Sequence, residues 1–143
     1  MLVDANLLIY ATDADSPFHH DAARWLTTTL TGSRRVGLPW QSLWAFVRIT
    51  THPRVSERPL TVDQAWSVVE GWVALDTTWH PNPGPGHARI LGDLLRSRHV
   101  AGNLVTDAQL AALALEHGLA VYSADADFAR FPEVDWVNPL RSS

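Results

Sequence analysis

The sequence predicts an α/β fold in which a parallel sheet carries helices on both faces. Short apolar segments alternate along the whole chain with longer segments whose apolar residues recur at helical spacing. Aspartates follow several of the short segments, which is where open parallel sheets place their ligands. With 143 residues, 46% of them hydrophobic, the chain is long enough for one cored domain, predicted to cover residues 1–143.

Strands and helices are predicted in alternation. The short apolar or β-branched segments predict strands at residues 2–3, 36–38, 77–80, 104–106, 119–122 and 134–137. The periodic segments predict a helix that begins within residues 1–10 and further helices at 19–30, 40–51, 62–74, 87–99, 108–117 and 128–131. No repeat, low-complexity segment or domain boundary interrupts this pattern.

The residues between these segments have the chemistry of caps and loops. Asp15 or Ser16 is predicted to cap the helix that starts at residue 19, and Thr61 the helix that starts at 62. Residues 81–86, which hold three prolines and two glycines, form the clearest loop of the chain. Gly118 is predicted to end the preceding helix in a left-handed conformation.

The composition narrows the class of protein. The chain has no cysteine, which excludes disulfides and thiolate metal sites and favours a reducing, cytoplasmic location. No apolar run approaches the roughly 18 residues of a membrane span, and no signal peptide is expected. The net charge of −4 does not by itself indicate nucleic-acid binding, although all 11 basic residues are arginines, which suit phosphate contacts. The seven tryptophans predict a core rich in large rings, with at least two expected at a protein interface.

Three aspartates are predicted to meet at one edge of the sheet. Asp4, Asp107 and Asp125 each follow a predicted strand, and parallel strands end along the same edge. Each could instead be a helix cap, and Asp127 is expected to cap the short helix that follows it. Carboxylates crowded together repel unless a cation neutralises them, and oxygen ligands favour Mg²⁺ or Mn²⁺. The pattern therefore indicates metal-assisted hydrolysis of a phosphodiester.

The chain lacks the motifs of other phosphate-handling proteins and of serine hydrolases. The chain has no lysine, which a P-loop, a haloacid-dehalogenase-type phosphotransferase and a receiver domain all need. Asn6 occupies the position at which the haloacid dehalogenases carry their second acid. No Gly-x-Ser-x-Gly segment is present.

Four stretches together resemble the PIN-domain ribonucleases of the VapC toxin type, in particular those of mycobacteria. The stretches are residues 2–11 (LVDANLLIYA), 46–55 (FVRITTHPRV), 102–114 (GNLVTDAQLAALA) and 123–131 (SADADFARF). The resemblance implies a three-layer α/β/α fold and a Mg²⁺- or Mn²⁺-dependent endoribonuclease that cleaves structured RNA such as tRNA or rRNA. It also implies the toxic half of a type II toxin–antitoxin pair, a cognate VapB-type antitoxin that occupies the site, and a homodimer.

The resemblance assigns roles to the site residues. Asp4 and Asp107 would be the principal metal ligands and Asp125 the third catalytic acid. Among the supporting residues, Asn6 would orient Asp4, and Thr106 would contact a metal-bound water or a phosphate. Asp127 would be a further acid beside Asp125, and Arg48 would contact a phosphate.

The chain departs from the family pattern at one position. Many PIN nucleases carry a glutamate just before Phe-x-Arg, where this chain has Ala45. Gln41 lies one helical turn earlier on the same face, so its neutral amide could hold a water of the site. We expect weaker binding of a second metal and a mechanism that depends on one metal site. A non-catalytic RNA- or partner-binding PIN module is the alternative, whereas a flap-type DNA nuclease is disfavoured by the chain's size.

Overall fold

Five parallel strands form the central sheet of the structure, a computed structural model that describes residues 1–141. The strands are β1 (Leu2–Val3), β2 (Val36–Gly37), β3 (Thr78–Trp79), β4 (Val121–Tyr122) and β5 (Trp136–Val137). Their order across the sheet is β3-β2-β1-β4-β5, so β1 is central. Leu2 pairs with Gly37 of β2 on one side and with Val121 of β4 on the other. The last two residues of the predicted domain, 142 and 143, lie outside the described residues.

Within residues 1–141, six α-helices and one 3₁₀ helix pack around this sheet. They are α1 (Ala5–Thr12), α2 (His19–Leu30), α3 (Trp40–Thr50), α4 (Val62–Val73), α5 (His87–Ser97), α6 (Leu104–His117) and the 3₁₀ helix (Ala126–Arg130). None of the described helices meets the length and hydropathy that crossing a bilayer requires. The predicted α/β class and parallel sheet are confirmed.

The two residues of β1 divide the molecule into two helical layers. Successive strand residues point to opposite faces of a sheet, and both Leu2 and Val3 are fully buried. Val3 belongs to a core formed with α1, α2, α3 and α4 around Phe46. Leu2 belongs to a second core formed with α5, α6 and the 3₁₀ helix around Phe128 and Phe131. This α/β/α sandwich is the three-layer fold that the sequence predicted.

The predicted caps of α4 and α6 are confirmed, and the one predicted for α2 is wrong. The Thr61 hydroxyl accepts from the Gln64 N–H and the Gln64 side chain accepts from the Thr61 N–H, so a complete capping box starts α4. Gly118 ends α6 with a φ of 66°. Helix α2 begins instead after Phe18 without a side-chain cap, because the Ser16 hydroxyl accepts from Phe18 N–H within the preceding turn.

The strand predicted at residues 104–106 is wrong, because these residues form the first turn of α6. The Val105 N–H donates to Gly102 O, so the chain has already entered a helical turn at Gly102. Val105 is 38% exposed, whereas a central strand of a three-layer α/β/α sandwich would be buried on both faces. A short β-branched run next to an alanine-rich helix does not distinguish the two structures by itself. Asp107 therefore comes from the α5–α6 layer and not from the sheet.

Candidate active site

The predicted acids gather where β1 and β4 end and α6 begins. Asp4 directly follows β1, and Asp125 is the third residue after β4, the neighbouring strand. Asp107 reaches the same place from the first turn of α6. The sheet edge thus supplies two acids and the helical layer a third.

Three carboxylates lie close enough to share one cation. Asp107, Asp125 and Asp127 each offer an oxygen within 4.8 Å of the others, and all three side chains are partly buried. Oxygen ligands bind Mg²⁺ at about 2.0–2.1 Å, so small side-chain rotations would bring three such oxygens around one ion. The donor set contains no nitrogen or sulfur and fits a hard divalent cation.

Asp4 is held differently from these three acids. Its Oδ1 accepts from Ala5 N–H at 2.7 Å and its Oδ2 from the Ser123 hydroxyl at 2.7 Å. The first bond caps α1, so the capping and site interpretations of Asp4 are compatible. Asp4 is not a member of the ligand-distance group, and its predicted role as a metal ligand stays a prediction.

The Ser123 hydroxyl connects the acids, and no role was predicted for it. This fully buried group donates to Asp4 and accepts from Asn6 Nδ2 at 3.1 Å and from Asp125 N–H at 3.0 Å. Asn6 was expected to orient Asp4 through hydrogen bonds, and that role stays a prediction. Its Nδ2 donates to the Ser123 hydroxyl that in turn donates to Asp4, and its Oδ1 accepts from Ala124 N–H at 3.3 Å. The signal that could have identified Ser123 is a small hydroxyl residue directly after a buried strand and two residues before an acid.

Burial and mutual repulsion make the charged forms of two site acids costly. Burial, together with the charges of Asp125, Asp4 and Asp127, raises the pKa of Asp107 to about 7. Burial also raises the pKa of Asp4, and the neighbouring Asp125 charge adds to this, while the hydrogen bonds from Ser123 and Ala5 lower it. A divalent cation would relieve this repulsion, as we expected from the predicted meeting of the acids at one edge of the sheet.

Asp127 is a member of the acid group rather than a cap. The 3₁₀ helix is capped by Asp125, whose Oδ1 accepts from the Asp127 N–H at 2.9 Å. The expected capping role of Asp127 is therefore wrong, because the helix begins two residues earlier than the sequence predicted. The Asp127 carboxylate lies 3.7 Å from Nε of Arg130 on the same short helix.

The supporting residues of α3 and α6 meet at a single hydrogen bond. Gln41 Nε2 donates to the Thr106 carbonyl at 3.0 Å, and Gln41 Oε1 is buried, so the predicted contact of this amide with a water of the site stays a prediction. The Thr106 side chain is exposed, and its contact with phosphate stays a prediction. Ala45 is partly buried on α3, and Arg48, one turn further along, is exposed.

A separate groove lies beside α1 and α3. It encloses about 540 Å³ between the α1–α2 connection and the α3–α4 connection, residues 13–18 and 51–60. Its apolar lining is Ile9, Tyr10, Phe18, Ile49, Val55 and Leu60. Asp13, Asp15, Glu57 and Arg58 also line it, and none of the clustered site acids does.

Comparison with known proteins identifies close relatives over the whole chain. The PIN domain model matches residues 1–134. Ribonuclease VapC37 of Mycobacterium tuberculosis is 43% identical over 138 residues, which is 96% of both chains. Ribonuclease VapC33 of the same species is 38% identical over 141 residues, 99% of both chains.

Solved structures share the fold at low sequence identity. VapBC2 from Rickettsia felis, bound to a DNA fragment from its promoter, superposes with a TM-score of 0.69 at 14% identity over 96% of both chains. VapC20 of M. tuberculosis, described as a sarcin-ricin loop cleaving toxin, superposes with a TM-score of 0.63 at 16% identity, covering 90% of this chain and 92% of that one. The sequence matches and the shared fold together show that this chain belongs to the VapC group of the PIN-domain family.

Proposed function

We propose that this chain is the toxin of a type II toxin–antitoxin pair and acts as a Mg²⁺- or Mn²⁺-dependent endoribonuclease. The observation that carries the proposal is the group formed by Asp107, Asp125 and Asp127, with the buried Asp4 beside it, at the carboxyl edge of a PIN sheet. The relatives at 43% and 38% identity are ribonucleases by name. This combination favours hydrolysis of an RNA phosphodiester over binding alone.

Three of the site acids would bind the cation, and Ser123 holds two of the acids in place through hydrogen bonds. Asp107, Asp125 and Asp127 would hold the divalent ion, which when bound activates water and stabilises the charge that develops on phosphate. Ser123 keeps one oxygen of Asp4 hydrogen-bonded and, by accepting from Asp125 N–H, fixes the backbone that presents Asp125. Asp4 then provides a fixed negative group beside the ion, as metal ligand or as acceptor for the attacking water.

We propose a structured RNA, such as a tRNA or an rRNA loop, as the substrate. VapC20, a neighbour in fold, is described as cleaving the sarcin-ricin loop. Exposed arginines, among them Arg48, Arg54 and Arg96, would contact the phosphates of such an RNA. Cleavage of total RNA by the purified chain in Mg²⁺ and in EDTA tests this proposal. We expect discrete fragments in Mg²⁺ and none in EDTA or with the Asp107→Asn variant, and unspecific degradation that survives EDTA would refute it.

We also propose a cognate VapB-type antitoxin as a protein partner. Several structures that share this fold are complexes of a VapB with a VapC, among them those from R. felis, nontypeable Haemophilus influenzae and Salmonella typhimurium. The apolar groove between residues 13–18 and 51–60 has the size and lining to receive side chains of such a partner. Co-purification of the chain with the product of a neighbouring small reading frame tests the pairing. If the two proteins form no complex, that product is not the antitoxin of this chain.

A homodimer is the remaining expectation for assembly. Trp44 on α3 is 67% exposed and Trp66 on α4 is 45% exposed, so these two are the tryptophans best placed for a protein interface. Sedimentation equilibrium of the purified chain distinguishes a dimer from a monomer.

A catalytically impaired binding module is the second candidate, and Ala45 is the observation that favours it. This position lacks the carboxylate that many relatives of the family carry, so the site has one negative charge fewer. The two candidates differ in the effect of Asp107→Asn on growth inhibition by the expressed chain. The nuclease loses its toxicity, whereas the binding module keeps it.

A further inference from the structure

Gln41 joins the two helical layers at the entrance to the acid group. Its Nε2 donates to the Thr106 carbonyl at 3.0 Å, a contact between residues 65 positions apart. Helix α3 packs on the Val3 face of the sheet through Leu43 and Phe46. Helix α6 packs on the Leu2 face. The hydrogen bond therefore crosses from one layer to the other over the end of the sheet.

This bond acts on the part of α6 that carries Asp107. Thr106 directly precedes Asp107 in the first turn of the helix. The other members of the acid group, Asp125 and Asp127, come from the segment after β4. The spacing of the three carboxylates thus depends on where the first turn of α6 lies, and that turn has no side-chain cap to hold it.

The Gln41 side chain buries its amide oxygen without a hydrogen-bond partner among the described residues, which is unusual for a residue whose only role is packing. Gln41 Oε1 is buried and accepts no hydrogen bond from any residue between 1 and 141. A buried carbonyl without a hydrogen-bond partner destabilises the folded chain, and an apolar side chain of similar length would avoid that cost. The N–H that reaches Thr106 is the feature that such a side chain could not reproduce.

We propose that Gln41 is a positioning residue that fixes Asp107 relative to the other site acids. In a relative with a glutamate at the position of Ala45, a carboxylate on α3 would be tied to the site through the bound cation. Here no such acid is present, and the neutral hydrogen bond from Gln41 links α3 to α6 in its place. This role rests on the proposed metal-dependent ribonuclease activity.

The test compares glutamine-to-methionine substitutions at two positions. Gln41→Met keeps the length of the side chain but has no N–H to donate. Gln109→Met is the matched control, because Gln109 is also partly buried, lies on α6 and contacts His87 of α5 instead of the site. Mn²⁺ affinity is measured by calorimetry, and RNA cleavage by steady-state kinetics with Mn²⁺.

We expect Gln41→Met to raise the Kd for Mn²⁺ about tenfold, the lower end of the range for residues that orient metal ligands. The kcat should fall with KM changed by less than about twofold, because RNA contacts are retained while the acids are displaced. The Gln109→Met control should match the wild type in both measurements. Thermal unfolding in EDTA confirms that each variant is folded.

Gln41→Glu is a second test that does not depend on tolerance of an apolar residue. This variant keeps the shape of the side chain and adds a negative charge, but at neutral pH it has no proton to donate to Thr106. We expect it to have a lower kcat than the wild type. A Gln41→Met variant with wild-type Mn²⁺ affinity and kcat, or a Gln41→Glu variant with higher kcat, would overturn the positioning role.

The two proposals fail in distinguishable ways. If the wild type binds Mn²⁺ but cleaves no RNA, the ribonuclease proposal fails, and the Mn²⁺ affinities still decide whether Gln41 positions Asp107. If the wild type cleaves RNA and Gln41→Met behaves like the Gln109→Met control, only the role of Gln41 fails.

Discussion

Replacing Ser123 with alanine should destabilise the chain and disturb the site together. The hydroxyl is fully buried and makes three hydrogen bonds, to Asp4 Oδ2, Asn6 Nδ2 and Asp125 N–H. The substitution removes the donor to Asp4 and leaves two N–H donors without their acceptor. Each buried group left unpaired typically costs about 1–3 kcal/mol, and water that enters the space would offset part of this. We therefore expect a loss of about 2–4 kcal/mol in the free energy of unfolding.

Urea unfolding of the metal-free protein measures this loss. At about 2–4 °C per kcal/mol for a domain of this size, the Tm should fall by roughly 4–16 °C. Ser67→Ala on the exposed side of α4 is the matched control and should change stability by less than about 0.5 kcal/mol. The hydrogen bond from Ser123 lowers the pKa of Asp4, so its loss should raise that pKa further and weaken Mn²⁺ binding at neutral pH. A Ser123→Ala variant as stable as the Ser67→Ala control would refute the interpretation of Ser123 as the connection between the acids.

Three further predictions follow from the acids and the exposed surface. The pKa of Asp107 is raised from 3.8 to about 7, so the native state keeps a proton that the unfolded chain has already lost. The contribution of this protonated carboxyl to the free energy of unfolding is therefore complete below about pH 4 and is lost as the pH rises towards 7. Across this range the Tm of the metal-free protein should fall less steeply in Asp107→Asn than in the wild type. At pH 8 in EDTA, Asp107→Asn should melt at a higher temperature than the wild type, because the substitution removes a negative charge beside Asp125 and Asp4. In Mg²⁺ the same variant should nevertheless cleave no RNA. A lower Tm than that of the wild type would contradict the predicted repulsion between these acids. Val55→Asp should weaken antitoxin binding, measured by calorimetry, and leave RNA cleavage unchanged, since Val55 is 63% exposed in the groove and outside the acid group; unchanged affinity would remove the groove as the docking surface.

The elements with strong periodicity and clear breakers were predictable from the sequence. Helix α2 begins and ends where its apolar spacing indicated, at His19 and Leu30. The segment 104–106 was not predictable, because three residues are too few to show a period and Gly102 sets the turn from outside the segment. That error also moved Asp107 from a strand end to a helix, although the acid still reaches the predicted edge.

The acids of the site were predictable, whereas the hydrogen bonds between them were not. Asp125 could be placed because it follows a strand of a parallel sheet, and such strands end along one edge. Asp107 was placed there on a predicted strand that is the first turn of α6. The connection through Ser123 depends on the directions of three side chains in space, which spacing along the chain does not encode. The contact of Gln41 with Thr106 likewise depends on how closely α3 and α6 approach across the sheet edge.

Calorimetric titration of Mn²⁺ into the metal-free chain tests most directly whether the grouped acids form a metal site. The geometry of Asp107, Asp125 and Asp127 predicts about one well-occupied site per chain, lost in Asp107→Asn. Asp93→Asn, which changes an exposed acid of α5, should bind Mn²⁺ as the wild type does. Wild-type affinity in Asp107→Asn, or two equally tight sites in the wild type, would contradict this account.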